Sequence, residues 1–224
     1  FTGDGLMSFS VEGSVKDSLI EQKGLALGRV IEMTMPMAAR AMAEVVNVEG
    51  AIEGEVFTEE NGVIKLVRGA DLSAEKIAIE GPSVEVEGKA NGKTIELFGS
   101  EIDLKGALLD VSRAQGGGEV LIGGEYQGGG SAPWAKRVSM DAESLIVASA
   151  IDEGDGGLVV LWSSERTMFD GRIESKGGSN GGNGGLVETS SQKNLSIQKG
   201  TVDTLSNQGK PGTWLLDPYD VYIN

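Results

Sequence analysis

The side chains of this sequence that could carry out chemistry are carboxylates. Histidine and cysteine are absent from its 224 residues, which excludes the usual zinc sites, cysteine–histidine nucleophiles and serine–histidine–aspartate triads. Carboxylate pairs remain, and these are the groups that cleave glycosidic bonds. The candidates are Glu80, Glu85, Glu87, Glu101, Asp103, Asp152, Glu153 and Asp155. They stand at alternating strand positions or in turns, and no spacing stands out. We therefore predict that the chain is not an enzyme, with a polysaccharide-acting enzyme as the less favoured alternative.

Composition narrows the classes of partner. The net charge of −15 argues against nucleic acid and anionic membranes as partners. No apolar run approaches the ~20 residues of a membrane helix, so we expect no membrane insertion. Glycine accounts for 35 residues and hydrophobic residues for 39%. That hydrophobic content suffices for a core, so the glycines indicate turns rather than disorder.

An internal repeat organises the chain. Gly157 opens the segment Gly-Leu-Val-Val-Leu, and Gly185 opens the similar segment Gly-Leu-Val-Glu-Thr. The candidate opening glycines of all units are Gly5, Gly28, Gly62, Gly92, Gly118, Gly157, Gly185 and Gly212. Once two long units with insertions are set aside, their spacing indicates a period in the high twenties. Such periods are typical of stacked repeats.

Each repeat contains strand-like alternation. Apolar residues stand at the second and fourth positions after the glycine, as in Val159 and Leu161, whereas the Gly92 unit is shifted by one residue. Turns of Gly, Asn, Asp and Ser separate about three short strands per unit. This pattern predicts an all-β fold, a right-handed parallel β-helix, in which glycines supply left-handed turns between strands. An antiparallel β-sandwich or barrel is the alternative, although it favours closer turn signals.

Two segments depart from the repeat. Residues 36–44, from Pro36 to Glu44, combine a proline start with strong helix formers and predict a short helix. Residues 123–137 form an extended, glycine-rich loop. It carries Tyr126, Trp134, Lys136 and Arg137. Exposed aromatic side chains beside cations are candidate ligand contacts. In the alternative interpretation, Trp134 and Tyr126 fold back over the flank of the helix.

Some glycine-rich segments invite cofactor assignments that the sequence does not support. Gly154-Asp-Gly-Gly and Gly181-Gly-Asn-Gly-Gly resemble pieces of a calcium-binding nonapeptide array, but that array needs several tandem copies. No Gly-Lys-Ser/Thr follows the glycines, as a phosphate-binding loop requires. We therefore predict no cofactor and no metal site.

A series of motifs resembles a known family. The motifs are Gly-Gly-Gly-Glu-Val-Leu-Ile-Gly-Gly-Glu-Tyr-Gln-Gly from Gly116, Gly-Asp-Gly-Gly-Leu-Val-Val-Leu-Trp from Gly154, Gly-Asn-Gly-Gly-Leu-Val-Glu-Thr-Ser from Gly182 and Trp-Leu-Leu-Asp-Pro-Tyr-Asp-Val from Trp214. Taken in this order they are similar to the filamentous-haemagglutinin-type exoproteins of Gram-negative bacteria. The similarity is strongest from about residue 116 onwards and weaker before it.

The resemblance implies a right-handed parallel β-helix that follows a secretion domain. In that family an outer-membrane transporter recognises the secretion domain, the two-partner secretion route, and its usual asparagine–proline motifs are not found in this sequence. We therefore expect residues 1–224 to be a single β-helix segment of a longer protein, secreted or held at the bacterial cell surface. Family members are adhesins, haem or iron scavengers, or contact-dependent toxins.

The sequence thus favours a structural and interaction role, the rigid shaft of a secreted adhesin. Three alternatives stay open. The chain could bind a host glycan or host protein itself through the 123–137 loop, it could be the shaft of a toxin or scavenger, or it could act on polysaccharide.

Overall fold

The computed structural model describes residues 6–7, 25–34, 57–60, 63–66, 68–218 and 220–223, and these residues form a parallel β-helix. They contain strands and one short 3₁₀ turn at Tyr126–Gly128, with no α-helix among them. The all-β prediction is therefore confirmed. The helix expected at residues 36–44 lies outside the described residues.

The chain winds through three strand-bearing faces in each coil, in the order face 1, face 2, face 3. Face 1 contains β8 (Thr94–Phe98), β12 (Glu119–Ile122), β16 (Leu158–Ser163), β19 (Leu186–Ser191) and β22 (Thr213–Leu215). Face 2 contains β4 (Val63–Leu66), β6 (Ser83–Val86), β9 (Glu101–Leu104), β13 (Arg137–Met140), β17 (Arg166–Phe169), β20 (Asn194–Ile197) and β23 (Asp220–Ile223). Face 3 contains β7 (Lys89–Asn91), β10 (Leu108–Asp110), β14 (Leu145–Val147), β18 (Arg172–Glu174) and β21 (Thr201–Asp203).

The remaining strands extend or decorate these faces. The long strand β5 (Asp71–Glu80) bends, so that its first half pairs with β7 of face 3 and its second half with β8 of face 1. The strand β2 (Leu25–Thr34) pairs along β5, and β1 (Leu6–Met7) pairs with β2. A hairpin of β3 (Phe57–Glu60) and β4 is the one antiparallel strand pair of the described part. A small ladder of β11 (Arg113–Gln115) and β15 (Ala150–Glu153) lies between faces 3 and 1.

Successive coils stack in register. On face 1, Val120 lies opposite Ile95 of the preceding coil and Val159 of the following coil, and the other face 1 pairs continue this order. Parallel pairing between coils, with about three strands per coil, is what the sequence predicted. The predicted shift of the Gly92 unit by one residue is also confirmed, since Lys93 rather than Gly92 takes the position of Gly118.

The period differs along the chain. The face 1 register joins Lys76, Thr94, Glu119, Leu158, Leu186 and Thr213, which gives coils of 18, 25, 39, 28 and 27 residues. A period in the high twenties therefore holds for the last coils and is wrong for the first. The assignment of Gly62 was also wrong, because the strand that follows it, β4, lies on face 2. The coil that begins at Lys76 has no opening glycine.

The core is a set of aliphatic ladders that run along the helix axis. The longest of these on face 1 comprises Ile77, Ile95, Val120, Val159 and Val187, and each side chain is completely buried. Their period-two spacing along each strand directs them to the interior, while the intervening residues face outwards. Complete burial of one such side chain contributes about 1.5–3 kcal/mol, so the interior ladders supply much of the stability.

Close stacking explains the glycines that open the coils. A Cβ atom on Gly157 would lie 2.0 Å from the carbonyl oxygen of Gly118, and one on Gly212 would lie 2.0 Å from that of Gly185. Positive φ angles occur elsewhere, for example at Gly154. The left-handed turns expected of glycine between strands are therefore found in the glycine-rich segments, at Gly154 and Gly182. At opening glycines such as Gly157 and Gly212 glycine is needed for another reason, because the backbones of adjacent coils touch.

Candidate ligand-binding site

The 123–137 loop is the largest departure from the regular coil. In the two coils that follow, faces 1 and 2 are joined by the pairs Ser164–Glu165 and Gln192–Lys193, whereas here fourteen residues separate β12 from β13. The loop folds back and lies on the outer surface of face 1. It contacts β16 and β19 through its 3₁₀ turn.

The loop covers an apolar strip on the outside of face 1. Leu121, Val160 and Trp162 point outwards from the helix, yet they are buried, and Phe98 and Leu158 pack beside them. The alternation in the repeat assigns apolar side chains to the interior, so this outward strip was not predicted from the sequence. The available signal was the run Leu158-Val-Val-Leu-Trp162, because an uninterrupted apolar strand is typical of burial on both faces.

Trp162 is enclosed by the loop. A Cβ atom on Gly124 would lie 3.1 Å from the indole ring of Trp162, and one on Gly128 would lie 2.5 Å from it. Glycine therefore lets the loop backbone lie directly on the ring. The indole of Trp134 leans against the same ring, with 4.7 Å between centroids and 52° between planes. Trp162 is consequently only 6% exposed.

A buried carboxylate fixes the 3₁₀ turn. Glu188 of β19 is fully buried, and its Oε2 accepts a hydrogen bond of 2.7 Å from the backbone N–H of Gln127. Within the described part of the protein its Oε1 has no hydrogen-bond partner. Burial raises the pKa of Glu188, and the nearby carboxylate of Asp217 raises it further, although the Gln127 bond opposes this shift.

A second carboxylate, Glu125, closes the base of the loop. Its Oε1 accepts hydrogen bonds from the backbone N–H groups of Ser131 and Ala132, at 2.9 and 3.0 Å. The two carboxylates have separate tasks, since Glu125 ties the loop to itself and Glu188 ties it to the sheet.

The four residues predicted to bind a ligand separate into two pairs. Tyr126 and Trp134 remain on the loop surface, 39% and 48% exposed. Lys136 and Arg137 are exposed where the loop enters face 2, and the Arg137 guanidinium is paired with Glu101 of the neighbouring strand β9. Trp134 fits both of the alternatives that the sequence left open, because it folds back onto Trp162 and keeps half of its surface in solvent. Ligand binding by these residues stays a prediction.

A groove lies on the C-terminal side of the loop, with a volume of about 480 Å³. It is lined by Gln127, Gly128, Trp134, Trp162, Gln192, Asp217 and Pro218. We call it the tryptophan groove. Gln192 follows β19, and Asp217 follows β22, so residues from three coils and the loop meet here. Gln127, Gln192 and Asp217 were not predicted from the sequence, because only the stacking of coils brings them together.

A second groove, of about 610 Å³, lies on the N-terminal side of the loop. Phe98, Leu121 and Pro133 form apolar parts of its lining, and the charged lining groups are Lys76, Glu80, Glu96, Glu119 and Glu125. Lys76 is paired with Glu96 at 2.9 Å. Burial raises the pKa of Glu119, and the carboxylates of Glu96 and Glu125 add to that shift.

Two of the carboxylates considered for catalysis have structural partners. Glu85 is paired with Lys65 and Lys105 on the outside of face 2, and Asp155 accepts the backbone N–H of Asn183 at 2.6 Å in the turn of the next coil. Where the structure is described, no group of three or more acidic side chains has a geometry that could hold a metal ion. Nor does any helix in those residues have the length and apolar character needed to cross a membrane.

Comparison with known proteins identifies no family. No model of a known protein family matches the chain. A search of curated proteins likewise finds no match.

Proposed function

We propose that this chain is a rigid β-helical segment of a secreted bacterial exoprotein, which displays a binding region at a distance from the cell surface. The observation that carries the proposal is the unbroken parallel register of face 2. Its seven strands all pair in parallel, from β4 to β23. With ~4.8 Å between neighbouring strands, they span roughly 30 Å along the axis.

The construction suits a spacer. Apart from the 123–137 loop, which reaches β19 two coils further on, each coil pairs with its neighbours, so length grows with the number of coils. The backbone ladders and the buried aliphatic ladders both run parallel to the axis and resist bending. The charged residues on the outside of face 2 add ion pairs between coils, such as Lys65 with Glu85 at 2.6 Å.

The resemblance to filamentous-haemagglutinin-type exoproteins supports the cellular setting. On this proposal the chain is exported by the two-partner route, with an outer-membrane transporter as the partner of a secretion domain elsewhere in the protein. It is then found at the bacterial surface or in the medium, and the complete protein is an adhesin. Antibodies against the chain should label intact cells or the culture medium; labelling only after lysis would contradict the proposal.

A deletion of one coil tests the spacer role directly. Lys76 and Thr94 occupy equivalent positions, so removal of Lys76–Lys93 joins two equivalent corners and keeps the register. This variant should fold cooperatively and be shorter by ~4.8 Å in small-angle X-ray scattering. It should also keep any ligand that binds in the tryptophan groove, because no residue that lines this groove is deleted.

A deletion of half a coil is the matched control. Removal of Lys76–Val84 places face 1 residues opposite face 2 residues and should prevent cooperative folding. If the Lys76–Lys93 deletion folds and yet loses binding to a host component, the deleted coil is a binding module and the spacer proposal fails.

A further inference from the structure

The tryptophan groove has the composition of a small-ligand site. Its volume of about 480 Å³ lies within the range of about 300–1,000 Å³ that is usual for such sites. Trp134 is half exposed and packs against the ring of Trp162. The loop backbone at Gly124 and Gly128 lies directly on the Trp162 ring and keeps it in place. The aromatic surface is therefore fixed before any ligand arrives, which lowers the entropic cost of binding.

Polar groups surround this aromatic surface. Gln127 and Gln192 each supply an amide that both donates and accepts hydrogen bonds, and Asp217 supplies a carboxylate that accepts them. An apolar platform bordered by such groups matches a pyranose ring. One face of the ring presents C–H groups to an indole, while its edge carries hydroxyls that donate and accept.

The charge of the groove selects among saccharides. Among the described residues that line it there is one carboxylate and neither lysine nor arginine. Neither of the two predicted cations, Lys136 and Arg137, lines the groove, and Arg137 is paired with Glu101. An anionic sugar would meet the carboxylate of Asp217 without a compensating cation, so the groove favours a neutral one.

The backbone at Gln127 is strained. Its φ of 55° makes it the one non-glycine residue of the described part with a left-handed conformation. Such conformations cost about 1–3 kcal/mol and cluster at ligand sites. The hydrogen bond from its N–H to the buried Glu188 holds this conformation, and thereby places Gln127 at the edge of the groove.

We propose that the tryptophan groove is a binding site for a neutral saccharide, with Trp134 as the stacking platform and Gln127, Gln192 and Asp217 as hydroxyl partners. Glu188 acts as a positioning residue through Gln127. This function goes beyond the spacer role and does not depend on it. For a single sugar ring of about twelve heavy atoms, an ordinary ligand efficiency gives a Kd in the range of about millimolar.

The test is saturation-transfer NMR on the intact chain with methyl β-glucoside, methyl β-galactoside and methyl α-mannoside, each at millimolar concentration. Sialyllactose serves as the anionic probe and choline as the cationic probe. At least one neutral glycoside should receive saturation, and the transfer should approach a plateau as its concentration is raised. Saturation of sialyllactose or choline alone would overturn the proposal, and so would the absence of transfer to all three glycosides.

Variants assign the signal to the groove. Trp134→Ala should weaken binding about tenfold, which corresponds to the loss of one aromatic contact. Gln192→Ala should weaken it about three- to tenfold through the loss of one hydrogen bond, and its exposed position leaves folding intact. Trp134→Phe should restore much of the affinity. Arg172→Ala, which removes an exposed cation on face 3, should bind as the wild type does.

Unchanged affinity in both Trp134→Ala and Gln192→Ala would place the sugar elsewhere and refute the assignment. Because Gln192→Ala and Trp134→Phe keep the packing on Trp162, a folding defect in Trp134→Ala alone does not decide the result. The Lys76–Lys93 deletion keeps the groove, so a failure of this proposal and a failure of the spacer role can be told apart.

Discussion

The indole rings of Trp134 and Trp162 lie 4.7 Å apart, and only one of them is open to solvent. Trp162 is 6% exposed and belongs to the regular coil, whereas Trp134 is 48% exposed and belongs to the inserted loop. The contact therefore joins an outward-facing strand residue to the segment that shields it. It follows that the two tryptophans contribute unequally to stability, although they touch each other.

Trp162→Ala should release the loop. The change removes the ring that Gly124, Gly128 and Trp134 all contact, and large-to-small changes of this kind cost about 3–5 kcal/mol in a core. The expected result is a large fall in the free energy of unfolding measured by urea denaturation. Proteolysis within residues 123–137 should also become faster. Trp134→Ala is the control and should cost about 1 kcal/mol; equal losses in the two variants would contradict the packing described.

Gly157→Ala should be more damaging than alanine at a glycine with a left-handed backbone. A methyl group on Gly157 would meet backbone atoms of Gly118 at 2.0 Å, and backbone cannot move aside easily. We expect a loss of at least about 3 kcal/mol, the upper part of the usual range for overpacking. Thermal unfolding monitored by circular dichroism measures it.

The matched control is Gly69→Ala. Gly69 has a φ of +87°, and no atom of the described residues beyond its chain neighbours lies within 4 Å of the position that its added methyl group would take. We therefore expect only the conformational cost of about 1–2 kcal/mol. A larger loss at Gly69 than at Gly157 would show that turn conformation, rather than contact between coils, selects the opening glycines.

The interior of the helix was predictable because it depends on local alternation. Residues such as Ile64, Leu66 and Val159 were assigned to the strand positions that the structure buries completely. The first coils were not predictable in the same way. In β5 the chain passes from face 3 to face 1 through Ala74 and Glu75 without a glycine, so no turn signal marks the corner.

The site was predictable only in part. The composition of the loop pointed to Trp134, but the partners of Trp134 depend on which residues the stacking of coils brings beneath the loop. Glu188 and Gln127 are 61 residues apart in sequence. Their contact follows from two coils of unequal length together with the fold-back of the loop, which no local pattern of residues encodes.

Val159→Asp should unfold the helix locally or completely. Val159 is fully buried in the face 1 ladder between Val120 and Val187, and an unpaired carboxylate there has no partner to offset its desolvation. The loss should exceed about 4 kcal/mol, the range of buried unpaired charges. Met168→Asp is the control, since Met168 is 38% exposed on face 2. Its midpoint of thermal unfolding should change little; an equal fall in both variants would contradict the assigned facing of the strands.

Glu188→Gln should change the dependence of stability on pH. Because burial raises the pKa of Glu188 in the folded state, ionisation of this carboxyl favours the unfolded state. Below the ordinary pKa range of a glutamate the group is protonated in both states and carries no penalty. As the pH rises through the raised pKa, the wild type loses stability that the uncharged glutamine does not lose. The difference in Tm, variant minus wild type, should therefore increase between about pH 4 and pH 8.

A difference in Tm that is constant over this range would show that the pKa of Glu188 is not raised in the folded protein. The glutamine keeps an oxygen for the Gln127 N–H, so the comparison isolates the charge from the hydrogen bond.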